Sequence, residues 1–225
     1  MYYGYMNRLA VPKISNDRKI GWLLIGVGLI AMAVSTALGI GPVKAKLNGA
    51  KSVQVATAPS SVKPSAKQIA TYSVPAANPK YIAIPNIAIG NTPVLNLGLT
   101  SNGQIATPNN IYETGWYNAS SKPGQAGAMF IFGHVATYTK YGIFNNLGDL
   151  KTGARITITR GDNRTYVYQV VAMKTYPYNK VDMNAVLSPV NSGVPGLNLM
   201  TCTGPVIQSL SEYSERLVVF TSLVN

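Results

Sequence analysis

Reactive side chains are scarce in this chain. Its 225 residues include one cysteine, Cys202, and one histidine, His134. A single thiol excludes an intrachain disulfide and any cysteine-rich metal site. A single imidazole among scattered carboxylates argues against a zinc centre. Acids are also few, seven Asp and Glu against nineteen Lys and Arg, for a formal net charge of +12. Glu113, Asp149 and Asp162 stand apart, so no cluster of carboxylates offers itself to a hard cation, and no metal or cofactor is expected. The positive charge is uneven. Residues 1–79 hold nine Lys and Arg against Asp17 alone, whereas residues 80–225 hold ten against six acids. A basic N-terminal part suits an anionic membrane or wall surface. No basic stripe interleaved with aromatics is present, so nucleic acid is not expected as a partner.

Long apolar runs are limited to one. Ile20 to Ile40 gives 21 residues without a charge, enough for a helix of about 32 Å that spans a bilayer core. Trp22 falls where indole rings favour the interface. A buried core helix would show a polar face, and this run has only Ser35 and Thr36. A cleaved signal peptide is the other reading, with Val43-Lys44-Ala45 as its cleavage site. The run is longer than a signal peptide's apolar region, which favours a retained anchor. Residues 1–19 are then an N-terminal tail, 20–43 a transmembrane anchor, 44–79 a tether and 80–225 a folded domain. Arg8, Lys13, Arg18 and Lys19 before the span are nearly balanced by Lys44, Lys46 and Lys51 after it, so charge alone gives a weak orientation. The tether carries Pro59, Pro64, Pro75 and Pro79 among Ala, Ser, Lys and Val, a composition expected to stay flexible and partly extended. A chain starting near Pro79 is therefore expected to keep fold and site.

Beyond Tyr81, short apolar runs alternate with turn signals. Tyr81–Ile84, Val94–Leu97 and Ala128–Phe132 read as strands. Arg155–Arg160 alternates cleanly, Gly161-Asp162-Asn163 turns, and Arg164–Val171 returns. Leu197–Cys202 and Arg216–Thr221 end the series. Tyr141–Leu147 and Val181–Leu187 read as short helices. About eight short strands with few helices point to a mainly β fold, a closed eight-stranded barrel that leaves no exposed strand edge.

The scarce residues end or begin apolar runs. His134 closes Ala128–Gly133, Cys202 closes Leu197–Thr201, and Arg216 opens Leu217–Phe220. Thiolate, imidazole and guanidinium from three strand ends would supply a nucleophile, a proton carrier and a fixed charge for an oxyanion. Plainer roles are open for each residue: a small buried hydrophobe for Cys202, a satisfied structural ring for His134, a surface ion pair with Glu212 or Glu215 for Arg216.

The wording around these residues resembles the sortases, membrane-anchored cysteine transpeptidases of Gram-positive-type cell surfaces. Leu199-Met200-Thr201-Cys202 is similar to the family's Thr-Leu-x-Thr-Cys box, with Asn198 where a Thr is usual. Gly133-His134-Val135 and Arg216-Leu217-Val218-Val219 match two further elements. Ile84–Ile89, Pro93-Val94, Asn102-Gly103, Pro108, Gly115-Trp116-Tyr117, Pro123-Gly124 and Gly127 keep the family's order. The resemblance implies a sortase-type barrel over about residues 80–225, outside the cytoplasm. It implies Cys202 as nucleophile, His134 as proton carrier, Arg216 at the oxyanion or substrate backbone, and Thr201 as a substrate-binding residue. The implied substrate is a Leu-Pro-x-Thr-Gly-like sorting signal on surface proteins, cut between Thr and Gly. The acyl group then passes to an amine of a cell-wall precursor or a pilin lysine. Segment 176–196, with Pro177, Pro189 and Pro195, is the expected specificity wall. The wording is closest to the single-anchor classes D, E or F.

Other classes of function remain in view. Cysteine peptidoglycan hydrolases usually place Cys before His, and L,D-transpeptidases carry a Ser-x-Gly-Cys-type box; the order His–Cys–Arg opposes both. A membrane-tethered binding module without enzymatic activity would need no reactive thiol.

Overall fold

The computed structural model describes residues 58–224. Eight strands close into one barrel in the order β1-β2-β3-β4-β7-β8-β6-β5. Their ranges are β1 Pro79–Ile84, β2 Ile89–Leu97, β3 Thr114–Tyr117, β4 Ala128–Gly133, β5 Arg155–Arg160, β6 Thr165–Pro177, β7 Gly196–Ile207 and β8 Glu212–Leu223. β1 pairs with β5 to complete the ring. Two neighbouring pairs are parallel, β2 with β3 and β4 with β7. The expected eight-stranded, mainly β barrel is the observed one. The expected tail at 1–19, anchor at 20–43 and first part of the tether lie outside the described residues. Among the described residues no helix is long and apolar enough to cross a membrane.

Strand alternation sorts the side chains into two apolar clusters. Met129, Ile131, Leu197, Leu199 and Val219 point into the barrel beside Ile82, Ile84, Trp116, Ile156 and Tyr168. The alternate positions Phe130, Phe132, Val218 and Phe220 form a second cluster with Tyr176 and Val186. Val186 belongs to a short helix, α2 (Met183–Val186), so segment 178–195 lies over the outer face of β4, β7 and β8.

Three expectations change. Tyr141–Leu147 is no helix. Ile143 N–H donates to Ile111 O, and Phe144 N–H donates to His134 O, so the backbone there bonds to other segments. Only Leu147–Asp149 makes a 3-10 turn. Second, β7 runs past Cys202 to Ile207 despite Pro205, because an irregularity between Thr203 and Val206 takes the proline out of the ladder. Gly204 sits there at φ 77°, a conformation favoured by a residue without Cβ.

The third change concerns the supposed tether. From Ser60 onward it is hydrogen-bonded to the rest of the domain. A helix, α1 (Ala66–Thr71), precedes β1. Ser65 caps it: its hydroxyl accepts from Gln68 N–H at 3.2 Å, and Gln68 Oε1 accepts from Ser65 N–H at 2.8 Å. Tyr72 then donates its hydroxyl to Val94 O at 2.8 Å, and Tyr81 donates to Ile69 O. Cutting at Pro79 would remove this layer.

Candidate active site

Parallel pairing of β4 with β7 brings His134 and Cys202 to the same level. Phe132 is the partner of Met200, and two residues further along each strand stand His134 and Cys202. The step between is fixed by Thr201, whose hydroxyl donates to Gly133 O at 2.9 Å. β8 runs antiparallel on the other side of β7 and sets Arg216 directly opposite Cys202. Parity decides the face. Cys202 shares its side of β7 with Asn198 and Met200, His134 follows Phe130 and Phe132, and Arg216 precedes Val218 and Phe220. All three thus belong to the outer face, at one end of the second apolar cluster.

Each of the three has defined neighbours. Cys202 is a half-buried free thiol. Burial pushes its pKa up, the Arg216 charge pulls it down, and Glu212 pushes it up again. The Tyr213 hydroxyl is raised first by burial, then by the charges of Cys202 and Tyr138. His134 Nε2 lies 2.8 Å from Pro108 O. A carbonyl only accepts, so Nε2 carries the proton and Nδ1 is left free in the neutral ring. The His134 backbone is also tied, its carbonyl accepting from Phe144 N–H at 2.9 Å. Gly142 lies against that carbonyl: a Cβ there would fall 2.4 Å from His134 O.

Arg216 is folded along its own hairpin. Nη1 donates to Tyr213 O at 3.0 Å and to Glu215 O at 2.9 Å. Nη2 pairs with Glu212 at 2.9 Å. The ion pair left open by the sequence therefore exists, on an arginine side chain only 15% exposed. Nε and one Nη2 hydrogen remain outside these bonds, so the guanidinium keeps donors for a substrate.

Thr201, expected at the substrate, is 4% exposed, with its hydroxyl donated to Gly133 O. Its parity turns it away from Cys202 and into the barrel, so its visible work is to register β4 against β7. Asn198 is fully buried on the outer face. Its Nδ2 donates to Val186 O at 2.8 Å and Ser188 O at 2.9 Å, pinning the end of α2 to β7. Its Oδ1 has no partner. Sequence reasoning assigned no task to Pro108, Gly142 or Asn198; it named Glu212 only as one of two ion-pair partners open to Arg216. Among the described residues no group of three or more His, Cys, Asp or Glu is placed to hold a metal.

A model of the sortase domain matches residues 82–224. The chain belongs to the sortase family of cysteine transpeptidases. Similar folds include sortase A from Corynebacterium diphtheriae, at 24% identity, covering 66% of this chain and 61% of that one, TM-score 0.49. A lid mutant of the same sortase A matches at 24% identity over 71% and 76% of the two chains, TM-score 0.51. Sortase C from Streptococcus pneumoniae matches at 22% identity over 73% and 75%, TM-score 0.50. This chain thus spans less than two thirds of the first of these. A comparison with the curated proteins finds no match.

Proposed function

We propose that this sortase-family chain is a membrane-anchored transpeptidase that cleaves a Leu-Pro-x-Thr-Gly-like sorting signal between Thr and Gly. The observation that carries the reading is the convergence of Cys202, His134 and Arg216 on one face, with Cys202 and Arg216 paired within β7 and β8 and His134 just past the end of the neighbouring β4. The Cys202 thiol gives its proton to His134 Nδ1, and the resulting thiolate attacks the threonine carbonyl carbon. As the tetrahedral intermediate collapses, the carbon–nitrogen bond breaks and His134 protonates the departing glycine amine. A thioester on Cys202 remains. An incoming amine, from a cell-wall precursor or a pilin lysine, attacks it, gives a proton to His134 and restores the thiolate.

Arg216 serves the oxyanion or the substrate backbone with the donors not held by its hairpin. A planar, permanently charged fork suits this better than a lysine ammonium. The apolar surface of Phe130, Phe132, Val218 and Phe220, bounded by α2, is the floor on which the signal's apolar residues lie. Thr201 supports this site by holding strand register. The anchor at 20–43 would place the domain on the outer face of the cell membrane, as a single-anchor sortase of class D, E or F. A membrane-impermeant thiol reagent on intact cells tests that topology, since Cys202 is the one thiol. Labelling only after lysis would point to an inverted chain or a masked thiol, and a cysteine introduced at Ser52 separates these two.

The chemistry is tested with a Leu-Pro-x-Thr-Gly peptide and an amine acceptor. Cys202→Ala abolishes transfer and leaves the melting temperature near wild type. Full activity in Cys202→Ala would end the transpeptidase reading. Arg216→Lys keeps the charge and loses about tenfold or more in rate, because a point charge does not reproduce the fork. A near-wild-type lysine variant would reduce Arg216 to a general electrostatic contributor.

A further inference from the structure

The segment before α1 touches the loop on which His134 depends. Ser60 N–H donates to Asn109 O at 2.6 Å, and Ser60 O accepts from Ile111 N–H at 2.9 Å, making a parallel bridge to Asn110. Asn110 Nδ2 donates to Val62 O at 2.9 Å, and Lys140 Nζ donates to Ser61 O at 3.3 Å. Residues 60–62 are thus joined by four hydrogen bonds to residues 109–111 and to Lys140. The next residue back along the loop is Pro108, whose carbonyl holds the imidazole at 2.8 Å. Residues 106–108 have no regular structure of their own, and a proline has no N–H with which to fix itself. The segment stands apart from the reacting groups. Two clefts run along it, of about 500 and 350 Å³, and neither is lined by Cys202, His134 or Arg216. Its influence on the site therefore passes through the loop.

We propose that residues 60–62 are a positioning element of the active site, a backbone clamp that fixes the Pro108 carbonyl and through it the orientation and tautomer of His134. The proposal rests on the transpeptidase reading only for the role of His134 as proton carrier. The bond to Pro108 directs the proton to Nε2 and leaves Nδ1 as the nitrogen that exchanges protons with the reacting groups. Loosening the clamp lets the carbonyl drift, and the ring then samples orientations in which Nδ1 no longer faces the leaving amine. The cost falls on turnover, since substrate affinity resides on the apolar face of β4, β7 and β8.

The test uses the full-length chain with Ser60→Pro, which removes the N–H donated to Asn109, and Lys140→Ala, which removes one exposed bond and leaves the fold unthreatened. The single histidine makes the imidazole nitrogen-15 spectrum a direct report on His134. Ser60→Pro is expected to lower kcat by about tenfold with KM within about twofold, as misplacement of a catalytic group does. Its spectrum moves from one Nε2–H tautomer to an averaged mixture. Lys140→Ala shows the same pattern, more weakly. Unchanged kcat and spectrum in both variants, or a loss of kcat with the spectrum unmoved, overturns the proposal. If Ser60→Pro fails to fold, Lys140→Ala decides on the same two readouts. A wild type that transfers no sorting peptide while the spectrum still responds to Ser60→Pro would refute the transpeptidase reading and keep the clamp. An active wild type with unresponsive variants would do the reverse.

Discussion

Two of the three reactive groups are placed by strand register and the third by a loop. Cys202 and Arg216 are direct partners in the β7–β8 hairpin, two strands of twelve residues each. Neither side chain can leave the other without slipping the register, which would turn the whole hydrophobic face of the strand over. His134 lies one residue beyond the end of β4. Its position is set by separate contacts: Phe144 N–H on its carbonyl, Gly142 packed against that carbonyl, and Pro108 O on Nε2. A paired strand specifies geometry through many repeated bonds, whereas a loop does so through a few individual ones. The lesson is that the nucleophile side of this site is robust, and the proton-carrier side is where single changes away from the chemistry should tell.

The largest effect expected from such a change is at Gly142. Gly142→Val places a branched side chain where even a Cβ meets His134 O at 2.4 Å, and both partners there are backbone. The His134 backbone must shift, and a displacement near 1 Å is enough for about a hundredfold loss of kcat. Alkylation of Cys202 by iodoacetamide should change far less, since the hairpin is untouched. Equal loss of thiol reactivity would show that the two sides of the site are not separable in this way.

That contrast also explains what the sequence shows and what it hides. The hairpin Arg155–Gln169 is plain in the alternation of Arg155-Ile156-Thr157-Ile158, and the reactive trio stands out because Cys202 and His134 are unique. The inward turn of Thr201 is implicit in the same alternation, one residue from an outward Cys202. β3 is obscured because Thr114, Gly115 and Trp116 are all buried, so no polar face marks the strand. The bonded part of residues 58–78 is hidden for a different reason. Its bonds use the backbone N–H and C=O of Ser60 and the terminal hydroxyl of Tyr72, which composition does not register. The supposed helix at Tyr141–Leu147 fails because Gly142 and Asn145-Asn146 leave the backbone free to bond to Ile111 and His134. Tertiary contact, not local preference, writes the loop half of the site.

A smaller effect is expected where the two halves meet. Thr201→Val keeps shape and removes the hydroxyl that donates to Gly133 O, costing about 1 kcal/mol of stability. Strand pairing should hold, with kcat reduced severalfold and KM little changed. A rise in KM at constant kcat would instead return Thr201 to the substrate, as the family resemblance implies, and the buried position would then describe only the unliganded protein.

The smallest effect belongs to Glu212, and its sign is informative. Arg216 faces Cys202 across the β7–β8 pair, and Glu212 and Tyr213 lie further along β8. Burial and the Glu212 charge raise the thiol, and Arg216 lowers it. Glu212→Gln removes the negative charge yet retains an oxygen that accepts from Arg216 Nη2. Arg216 keeps its bonds to Tyr213 O and Glu215 O, so the guanidinium stays in place. With the opposing charge gone and the favourable one retained, the thiol ionises at lower pH. The carboxylate is 40% exposed, so solvent and salt screen the effect, and it should shrink as ionic strength rises. The measurement is the rate of Cys202 alkylation against pH, for wild type and Glu212→Gln at two salt concentrations. The profile is expected to move toward lower pH in the variant. A move toward higher pH would mean that Glu212 is what holds Arg216 against the thiol, which would make the hairpin side of the site depend on a single contact, like the histidine side.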